Sequence, residues 1–234
     1  MLAHCSLLAW GLLPGRALHA ATADGKAASP ASPAASAVGG AVGGVSRTRK
    51  TILVLGDSLS AEYGLVRGTG WVALLERQLA QDKIAATVVN ASVSGDTTSG
   101  GRSRLPALLM RYQPSHVVIE LGGNDALRGL ATPMTRDNLA VMVRAAKHAG
   151  AKVMVVGMQL PPNYGVHYGE EFAAMFGQVA ADEGTALLPF LLTGVADGPQ
   201  ADRLFQPDRI HPTAEAHPRI LANVWAVMKP WLRQ

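Results

Sequence analysis

The sequence TILVLGDSLS occupies residues 51–60 and joins an apolar run to a small polar turn. An uninterrupted apolar run of this length is typical of a strand whose two faces are both covered in a parallel sheet. Gly56 allows a tight turn after the strand, and Ser58 stands where the strand would pass into a helix. The stretch therefore predicts an α/β protein with a serine hydroxyl at the end of its first strand.

The turn after this strand lacks the glycine patterns of the two common nucleotide-binding loops. Neither G-x-G-x-x-G nor G-x-x-x-x-G-K-[ST] occurs there. The G-x-S-x-G elbow of many lipases is absent from the whole chain. Two interpretations of Ser58 remain open: a cap for the following helix, which is a frequent role of serine, or a nucleophile at the top of the sheet.

Four further apolar runs of strand length follow and alternate with segments of helical spacing. The predicted strands are Thr51–Leu55, Ala86–Asn90, His116–Leu121, Lys152–Gly157 and Thr185–Pro189. Apolar residues at i, i+3, i+4 spacing predict the inward faces of three helices and of a last helix over Thr213–Trp231; these residues are Trp71, Leu74, Leu75, Leu79, Leu139, Met142, Val143, Ala146, Phe172, Met175, Phe176, Val179, Ile220, Leu221, Val224, Val227 and Met228. The alternation predicts one doubly wound, flavodoxin-like domain, a three-layer α/β/α sandwich with a parallel sheet of about five strands.

Ligands of such sheets bind beyond the carboxyl ends of the strands, so the loops there are the places to seek chemistry. After the second strand, Gly95 lies among small polar residues and suits the approach of backbone amides to a ligand oxygen. After the third, two glycines precede Asn124, whose side-chain amide could point into the same crevice. An ordinary turn at Gly95 and a capped glycine turn at Asn124 are the simpler alternatives.

Near the end of the chain, Asp208 and His211 stand three residues apart on one predicted loop. A serine nucleophile needs a base, and a carboxylate at Nδ1 of a histidine would leave its Nε2 free for that task. A histidine with no catalytic role is the alternative. His217 is expected at the surface of the last helix and is assigned no role. No histidine-rich ligand spacing occurs, so no metal is expected.

The N-terminal arm carries the net charge of the protein. Residues 1–50 hold five basic residues and one acidic residue, which accounts for the whole formal charge of +4 and leaves residues 51–234 neutral. A neutral folded region and only 5% aromatic residues argue against a nucleic-acid partner. The apolar run Cys5–Leu13 is too short to span a membrane but fits a secretory signal peptide, although no basic residue precedes it.

The chain divides into three predicted segments, two of which make up the N-terminal arm. Residues 1–23 are predicted as a signal peptide ending at Ala21-Thr22-Ala23, residues 24–50 as a flexible linker rich in Ala, Gly, Pro and Ser, and residues 51–234 as the folded domain. The protein is therefore expected in the periplasm or outside the cell. Cys5 is the only cysteine, which excludes intramolecular disulfides.

Four blocks in this order resemble the GDSL, or SGNH, hydrolase family, and within it the bacterial periplasmic enzymes with thioesterase, lysophospholipase, arylesterase and protease-like activities. The blocks are Gly56-Asp57-Ser58-Leu59-Ser60, Gly95, Gly123-Asn124-Asp125 and Asp208-x-x-His211. Leu160-Pro161-x-Asn163-Tyr164-Gly165 also looks like that group. The resemblance covers residues 51–233, essentially the whole predicted domain.

The resemblance implies a role for each matching residue. Ser58 would be the nucleophile, His211 the general base and acid, and Asp208 the carboxylate that orients the histidine. The backbone amides of Ser58 and Gly95 and the side chain of Asn124 would form the oxyanion hole. The substrate would contact four residues after the fourth strand: Leu160, Pro161, Asn163 and Tyr164. No cofactor and no metal are implied, and the protein is expected to be a monomer.

Three functions compete. The first is a serine esterase that hydrolyses carboxylic esters or thioesters of acyl chains through an acyl-enzyme on Ser58. The second is an acyl or acetyl transferase, or a deacetylase, that acts on a carbohydrate with the same triad. The third is a non-catalytic lipid- or glycan-binding module, which would be expected to lack a member of the triad or of the oxyanion hole. None is missing from this sequence.

Overall fold

A computed structural model describes residues 49–233 of the protein. The signal peptide predicted over 1–23 and nearly all of the linker predicted over 24–50 lie outside the described residues. Five parallel strands form one sheet in the order β2-β1-β3-β4-β5. The strands are β1 (Lys50–Gly56), β2 (Ala86–Asn90), β3 (His116–Glu120), β4 (Lys152–Val156) and β5 (Ala186–Leu188). The predicted α/β sandwich is confirmed.

Seven α-helices accompany the sheet in the described part of the chain. They are α1 (Trp71–Gln81), α2 (Thr98–Tyr112), α3 (Gly123–Leu127), α4 (Thr132–His148), α5 (Val166–Glu183), α6 (Ala201–Leu204) and α7 (His217–Trp231). Helix α1 packs on α7, whereas α2, α4 and α5 pack in a row. Right-handed crossovers explain this division, because β1 to β2 runs in one direction across the sheet and the later connections run in the other.

The central strands have the continuous burial that their sequence predicts. Strand β3 is buried at every position, and β1 is buried from Ile52 onward. The edge strand β2 differs, because it has only one neighbour and its residues are half-buried or exposed. Gly56 at the end of β1 pairs in register with Glu120 at the end of β3, so the loops after these two strands begin side by side.

Four helices differ from the sequence prediction, and two of them, α3 and α6, are short helices of five and four residues that the apolar spacing does not predict. Helix α2 was not predicted, because Gly100, Gly101 and Pro106 break its apolar spacing. Gly101 is nevertheless needed, since a Cβ atom there would collide with the Leu121 side chain. The last helix begins at His217 instead of Thr213, after a separate 3₁₀ turn over Ala214–Ala216. Its inward face includes Ile220, Val224 and Met228, as predicted.

The loops beyond the carboxyl edge of the sheet carry nearly all of the predicted site residues. The β1 loop holds Ser58, the β2 loop holds Gly95, and Asn124 lies in the first turn of α3. The segment between α6 and α7 brings Asp208 and His211 to the same region, where His211 contacts Ser58. No helix over residues 49–233 has the length and apolar character needed to cross a membrane.

Candidate active site

Ser58 lies in a tight turn that begins directly at the end of β1. The backbone N–H groups of Ser60 and Ala61 donate to the carbonyl oxygen of Asp57, at 3.2 and 2.9 Å, and so close the turn. Gly56 is required here, because a Cβ atom would lie only 2.8 Å from Glu120 Oε2 and from Ser60 Oγ. The turn leaves Ser58 half-buried, and α1 begins only at Trp71. The structure therefore does not support the capping interpretation of Ser58.

The hydroxyl group of Ser58 contacts His211 on the loop before α7. Ser58 Oγ lies 2.9 Å from His211 Nε2, and His211 Nδ1 lies 2.6 Å from Asp208 Oδ2. The histidine therefore bridges a hydroxyl and a carboxylate through its two nitrogens. The structure brings together the three side chains that the sequence analysis assigned to a catalytic triad.

The carboxylate of Asp208 is fixed by its own loop. Asp208 Oδ1 accepts hydrogen bonds from the backbone N–H groups of Ile210 and His211, both at 3.0 Å. Although partial desolvation opposes ionisation, the hydrogen bonds from His211 and Ile210 lower the pKa of Asp208 to about 2. The group is therefore an anion at neutral pH, as a partner for the Nδ1–H of His211 should be.

The ring of His211 is also held from one side. The Tyr63 ring packs against it with a centroid separation of 4.3 Å and a tilt of 36°. Gln206 connects the two loops, because its Nε2 donates to the carbonyl oxygens of Tyr63 at 2.9 Å and of Pro212 at 3.0 Å. Neither residue is predicted from the sequence; Tyr63 lies only five positions after Ser58, but its spacing carries no signal for a contact with His211.

Gly95 and Asn124 lie on the loops that flank the Ser58 turn. Gly95 has φ +77°, and Asn124 Nδ2 donates to Asp57 Oδ2 at 2.9 Å. Neither the Ser58 N–H nor the Gly95 N–H donates to any residue among those described. The three predicted oxyanion donors are therefore placed on adjoining loops, with two backbone N–H groups unengaged.

A buried pair of carboxyl groups lies beneath the Ser58 turn. Ser60 Oγ donates to Glu120 Oε2 at 2.7 Å and accepts from Trp71 Nε1 at 3.2 Å. Burial raises the pKa of Asp57 to about 6, although the hydrogen bonds from Leu59 and Asn124 lower it in part. Burial, and secondarily the nearby Asp57, raises the pKa of Glu120 well above its usual value. Glu120 is a residue that the sequence analysis missed, although a carboxyl at the end of an apolar strand is a visible signal.

His217 is buried, which differs from the expected position at the surface of the last helix. The side chain is 2% exposed, and its Nδ1 accepts a hydrogen bond from the Trp71 N–H at 3.0 Å. Burial lowers the pKa of His217 to about 4. The histidine therefore satisfies the first N–H of α1, which has no side-chain cap of its own. Its role is structural, and no sequence pattern near it indicates a partner so far away in the chain.

The four predicted substrate contacts lie on the segment between β4 and α5. Leu160 packs partly against the core, Pro161 and Asn163 are exposed, and Tyr164 is half-buried. A 3₁₀ turn over Pro162–Tyr164 shapes this segment, and the Tyr164 N–H donates to the Pro161 carbonyl at 3.1 Å. Within residues 49–233, none of these four residues forms a hydrogen bond with Ser58 or His211. Only their position at the same edge of the sheet connects them with the site. The described residues also hold no cluster of three His, Cys, Asp or Glu side chains suited to a metal ion.

Comparisons with known proteins agree with this architecture. The GDSL-like lipase/acylhydrolase family matches residues 54–219. Esterase TesA of Pseudomonas aeruginosa is 54% identical over 183 residues, covering 78% of this chain and 90% of that protein. Thioesterase 1/protease 1/lysophospholipase L1 of Escherichia coli K12 is 44% identical over 170 residues, covering 73% of this chain and 79% of that protein.

The fold has a match among solved structures. The psychrotrophic esterase EstA from Pseudoalteromonas sp., solved with the inhibitor monoethylphosphonate, superposes with a TM-score of 0.74. It is 38% identical, and the match covers 79% of this chain and all of that chain. Sequence and fold therefore agree, and the chain belongs to the GDSL-like lipase/acylhydrolase family and is a serine esterase.

Proposed function

We propose that this esterase works through an acyl-enzyme on Ser58, with His211 as general base and Asp208 as the orienting carboxylate. The observation that carries the proposal is the continuous contact from Ser58 Oγ to His211 Nε2 at 2.9 Å and from His211 Nδ1 to Asp208 Oδ2 at 2.6 Å. An ionised Asp208 favours the tautomer with hydrogen on Nδ1. Nε2 is then the acceptor, which is the state a base needs.

The reaction follows from that tautomer. Ser58 Oγ attacks the ester carbonyl carbon while its proton passes to His211 Nε2, and a tetrahedral oxyanion forms. The imidazolium then gives the proton to the departing alcohol or thiol, and the carbon–oxygen or carbon–sulfur bond breaks. Water repeats the sequence on the acyl-enzyme, with His211 as base again, and releases the carboxylic acid.

The oxyanion would be stabilised by the Ser58 N–H, the Gly95 N–H and the side-chain amide of Asn124. Preorganised donors of this kind stabilise the charge that develops on the carbonyl oxygen more than they stabilise the ground state. The two unengaged backbone N–H groups support this assignment, because they are donors without a partner among residues 49–233. The third donor, Asn124, is held in place by Asp57.

The substrates are proposed to be carboxylic esters or thioesters of acyl chains. This class is supported by relatives named esterase, thioesterase, lysophospholipase and arylesterase. The segment with Leu160, Pro161, Asn163 and Tyr164 would form one wall of the acyl groove, since it follows β4 at the same edge as Ser58. No cofactor and no metal are needed for this chemistry.

The protein is further proposed to act as a monomer in the periplasm or outside the cell, after removal of residues 1–23. The supporting observations are the apolar run Cys5–Leu13 and the small residues around Ala23. Mass spectrometry of the protein from its own host should give a mature N-terminus after residue 23, and light scattering should give the mass of one chain. An intact Met1 on cytoplasmic protein would contradict the export proposal.

The decisive test is Ser58→Ala, compared with Ser103→Ala at an exposed position on α2 as the control. A fluorophosphonate should label the wild type and the control but not Ser58→Ala. Hydrolysis of p-nitrophenyl esters, acyl-CoAs and lysophospholipids should vanish in the same variant, with an unchanged melting temperature. Labelling that persists on another serine would refute the assignment. Product analysis with an added sugar or alcohol would reveal a transferase instead.

A further inference from the structure

The short helix α3 and the residue after it contact each of the loops that carry the proposed oxyanion donors. Asn124 donates to Asp57 in the Ser58 turn at 2.9 Å. Asp125 Oδ2 accepts from the Thr98 N–H at 2.8 Å, at the start of α2 just beyond Gly95. Arg128 Nη2 donates to the Gly95 carbonyl oxygen at 2.9 Å. The contacts of Asp125 and Arg128 take no part in the proposed mechanism, and of the two only that of Arg128 reaches Gly95 itself.

The contact with Arg128 completes the fixation of one peptide group. The carbonyl oxygen of Gly95 accepts from Arg128, and the N–H on the other side of that peptide, from Asp96, donates to the Val93 carbonyl at 3.1 Å. The peptide between Gly95 and Asp96 is therefore held at both ends. Gly95 itself has φ +77°, and glycine is the residue with the widest choice of backbone conformations. The Gly95 N–H belongs to the preceding peptide, so its direction relative to the fixed peptide depends on the two backbone dihedral angles of Gly95.

The arginine is poorly explained by a role in stability. Its side chain is exposed, and within residues 49–233 it forms no ion pair with a carboxylate. Arg104 contrasts with it, because Arg104 pairs with Asp96 at 2.8 Å and is half-buried. A solvent-exposed hydrogen bond competes with water and contributes little to folding even when its donor is a charged guanidinium, so the contact between Arg128 and Gly95 is better explained by what it orients.

We propose that Arg128 is a positioning residue that fixes the Gly95 backbone so that its N–H points at the oxyanion. The proposal rests on the proposed function, since it needs the Gly95 N–H to be an oxyanion donor. Arg128 acts through Gly95 and does not touch the reacting atoms. Oxyanion donors are effective because they are fixed before the charge develops, and a donor that must reorient first loses part of that benefit.

The test compares Arg128→Met and Arg128→Lys with Arg111→Met, which makes the same change near the far end of α2. For Arg128→Met we expect kcat on a short p-nitrophenyl ester to fall about tenfold. This is less than the 10²–10³-fold cost of removing a donor, because the Gly95 N–H is still present. KM and melting temperature should stay as in the control. Arg128→Lys should recover most of the loss, since an ammonium can donate to the same carbonyl.

A second readout separates positioning from substrate binding. A trifluoromethyl ketone adds reversibly to the serine and forms a tetrahedral oxyanion. Its inhibition constant should weaken in Arg128→Met by the same factor as kcat, about tenfold. A loss in KM alone would make Arg128 a substrate contact and overturn the proposal. So would a kcat within twofold of the Arg111→Met control, or a loss that follows melting temperature.

Failure of this inference is distinct from failure of the proposed function. If Ser58→Ala kept its hydrolysis, the acyl-enzyme mechanism itself would fall, whatever Arg128 does. If Ser58→Ala is inactive and the Arg128→Met enzyme matches the control, only the positioning role is wrong.

Discussion

Asn124 Nδ2 donates a hydrogen bond to Asp57 Oδ2 at 2.9 Å, which joins the first turn of α3 to the residue directly before Ser58. An amide nitrogen has two hydrogens, so one holds the side chain in place while the other is available to a ligand. The same contact therefore serves the geometry of the site and leaves a donor for chemistry. Removing the Asn124 side chain would have two consequences, the loss of a donor and the loss of a loop contact, and these can be distinguished by measurement.

Asn124→Ala should lower kcat by about 10²–10³, or some 2.7–4 kcal/mol, with KM much less affected, because the lost donor acts mainly on the transition state. The control is Asn223→Ala, which removes hydrogen bonds to the carbonyls of Leu191 and Thr193 away from the Ser58 turn. That variant should lose stability and keep its kcat. Steady-state kinetics and thermal melting on the same preparations test both. A kcat within threefold of the wild type would remove Asn124 from the oxyanion hole.

Asp208→Asn should preserve the fold and lower kcat by a factor on the order of 10⁴, as in serine proteases with the same substitution. The asparagine oxygen can still accept from the Ile210 and His211 N–H groups, so its nitrogen is left to face His211 Nδ1. That arrangement favours the tautomer with hydrogen on Nε2, which cannot accept the serine proton. Asp202→Asn on the exposed helix α6 is the control. Near wild-type turnover in Asp208→Asn would rule out an orienting role.

The grouping of the site could be predicted because it depends on little more than strand direction. The carboxyl ends of parallel strands meet at one edge, so Ser58, Gly95 and Asn124 all lie along it, and they are close together because β1 lies between β2 and β3. The pair Asp208 and His211 is local in sequence, and its contact follows from a single loop. These features do not depend on how side chains pack between distant elements.

The features that could not be predicted depend on such packing. The position of His217 is set by the start of α1, 146 residues earlier in the chain. Helix α2 has weak apolar spacing, and its glycine Gly101 is explained only by contact with Leu121. The bond from Arg128 to Gly95 joins two loops that follow different strands. Local patterns carry no information about partners of this kind.

The Glu120→Gln variant should become more stable than the wild type as the pH rises. Because burial raises the pKa of Glu120, the folded state keeps a proton that the unfolded state has lost. The wild type therefore loses stability as the pH rises from the unfolded value toward the folded pKa, by about 1.4 kcal/mol per pH unit for this one group. The amide can still accept from Ser60 Oγ and carries no charge.

Urea unfolding of both proteins at pH 5, 6.5 and 8 measures this difference. The advantage of Glu120→Gln should grow with pH, and its kcat should stay within a few fold of wild type because the Ser58 turn keeps its contacts. Glu170→Gln on the exposed surface of α5 is the matched control and should show no such trend. A pH-independent difference would mean that Glu120 is ionised in the folded protein at every pH tested.

His217→Asn should make the protein less sensitive to acid. The pKa of His217 is lowered by burial to about 4, against about 6.5 in the unfolded chain. Between these values the unfolded state binds a proton that the folded state does not, so stability falls as the pH falls, by about 1.4 kcal/mol per pH unit for this group. Asparagine Oδ1 can accept from the Trp71 N–H, as His217 Nδ1 does, and it does not titrate.

The stability gap between wild type and His217→Asn should therefore change in favour of the variant from pH 7 to pH 4.5. His116 is also buried, and its pKa is lowered to about 4. Because both proteins contain His116, its effect on stability is the same in each and cancels in the comparison. Urea midpoints across this range, with exposed His148→Asn as the control, measure the effect. Parallel curves for wild type and His217→Asn would show that His217 titrates in the folded protein as it does in the unfolded chain, so that burial does not lower its pKa.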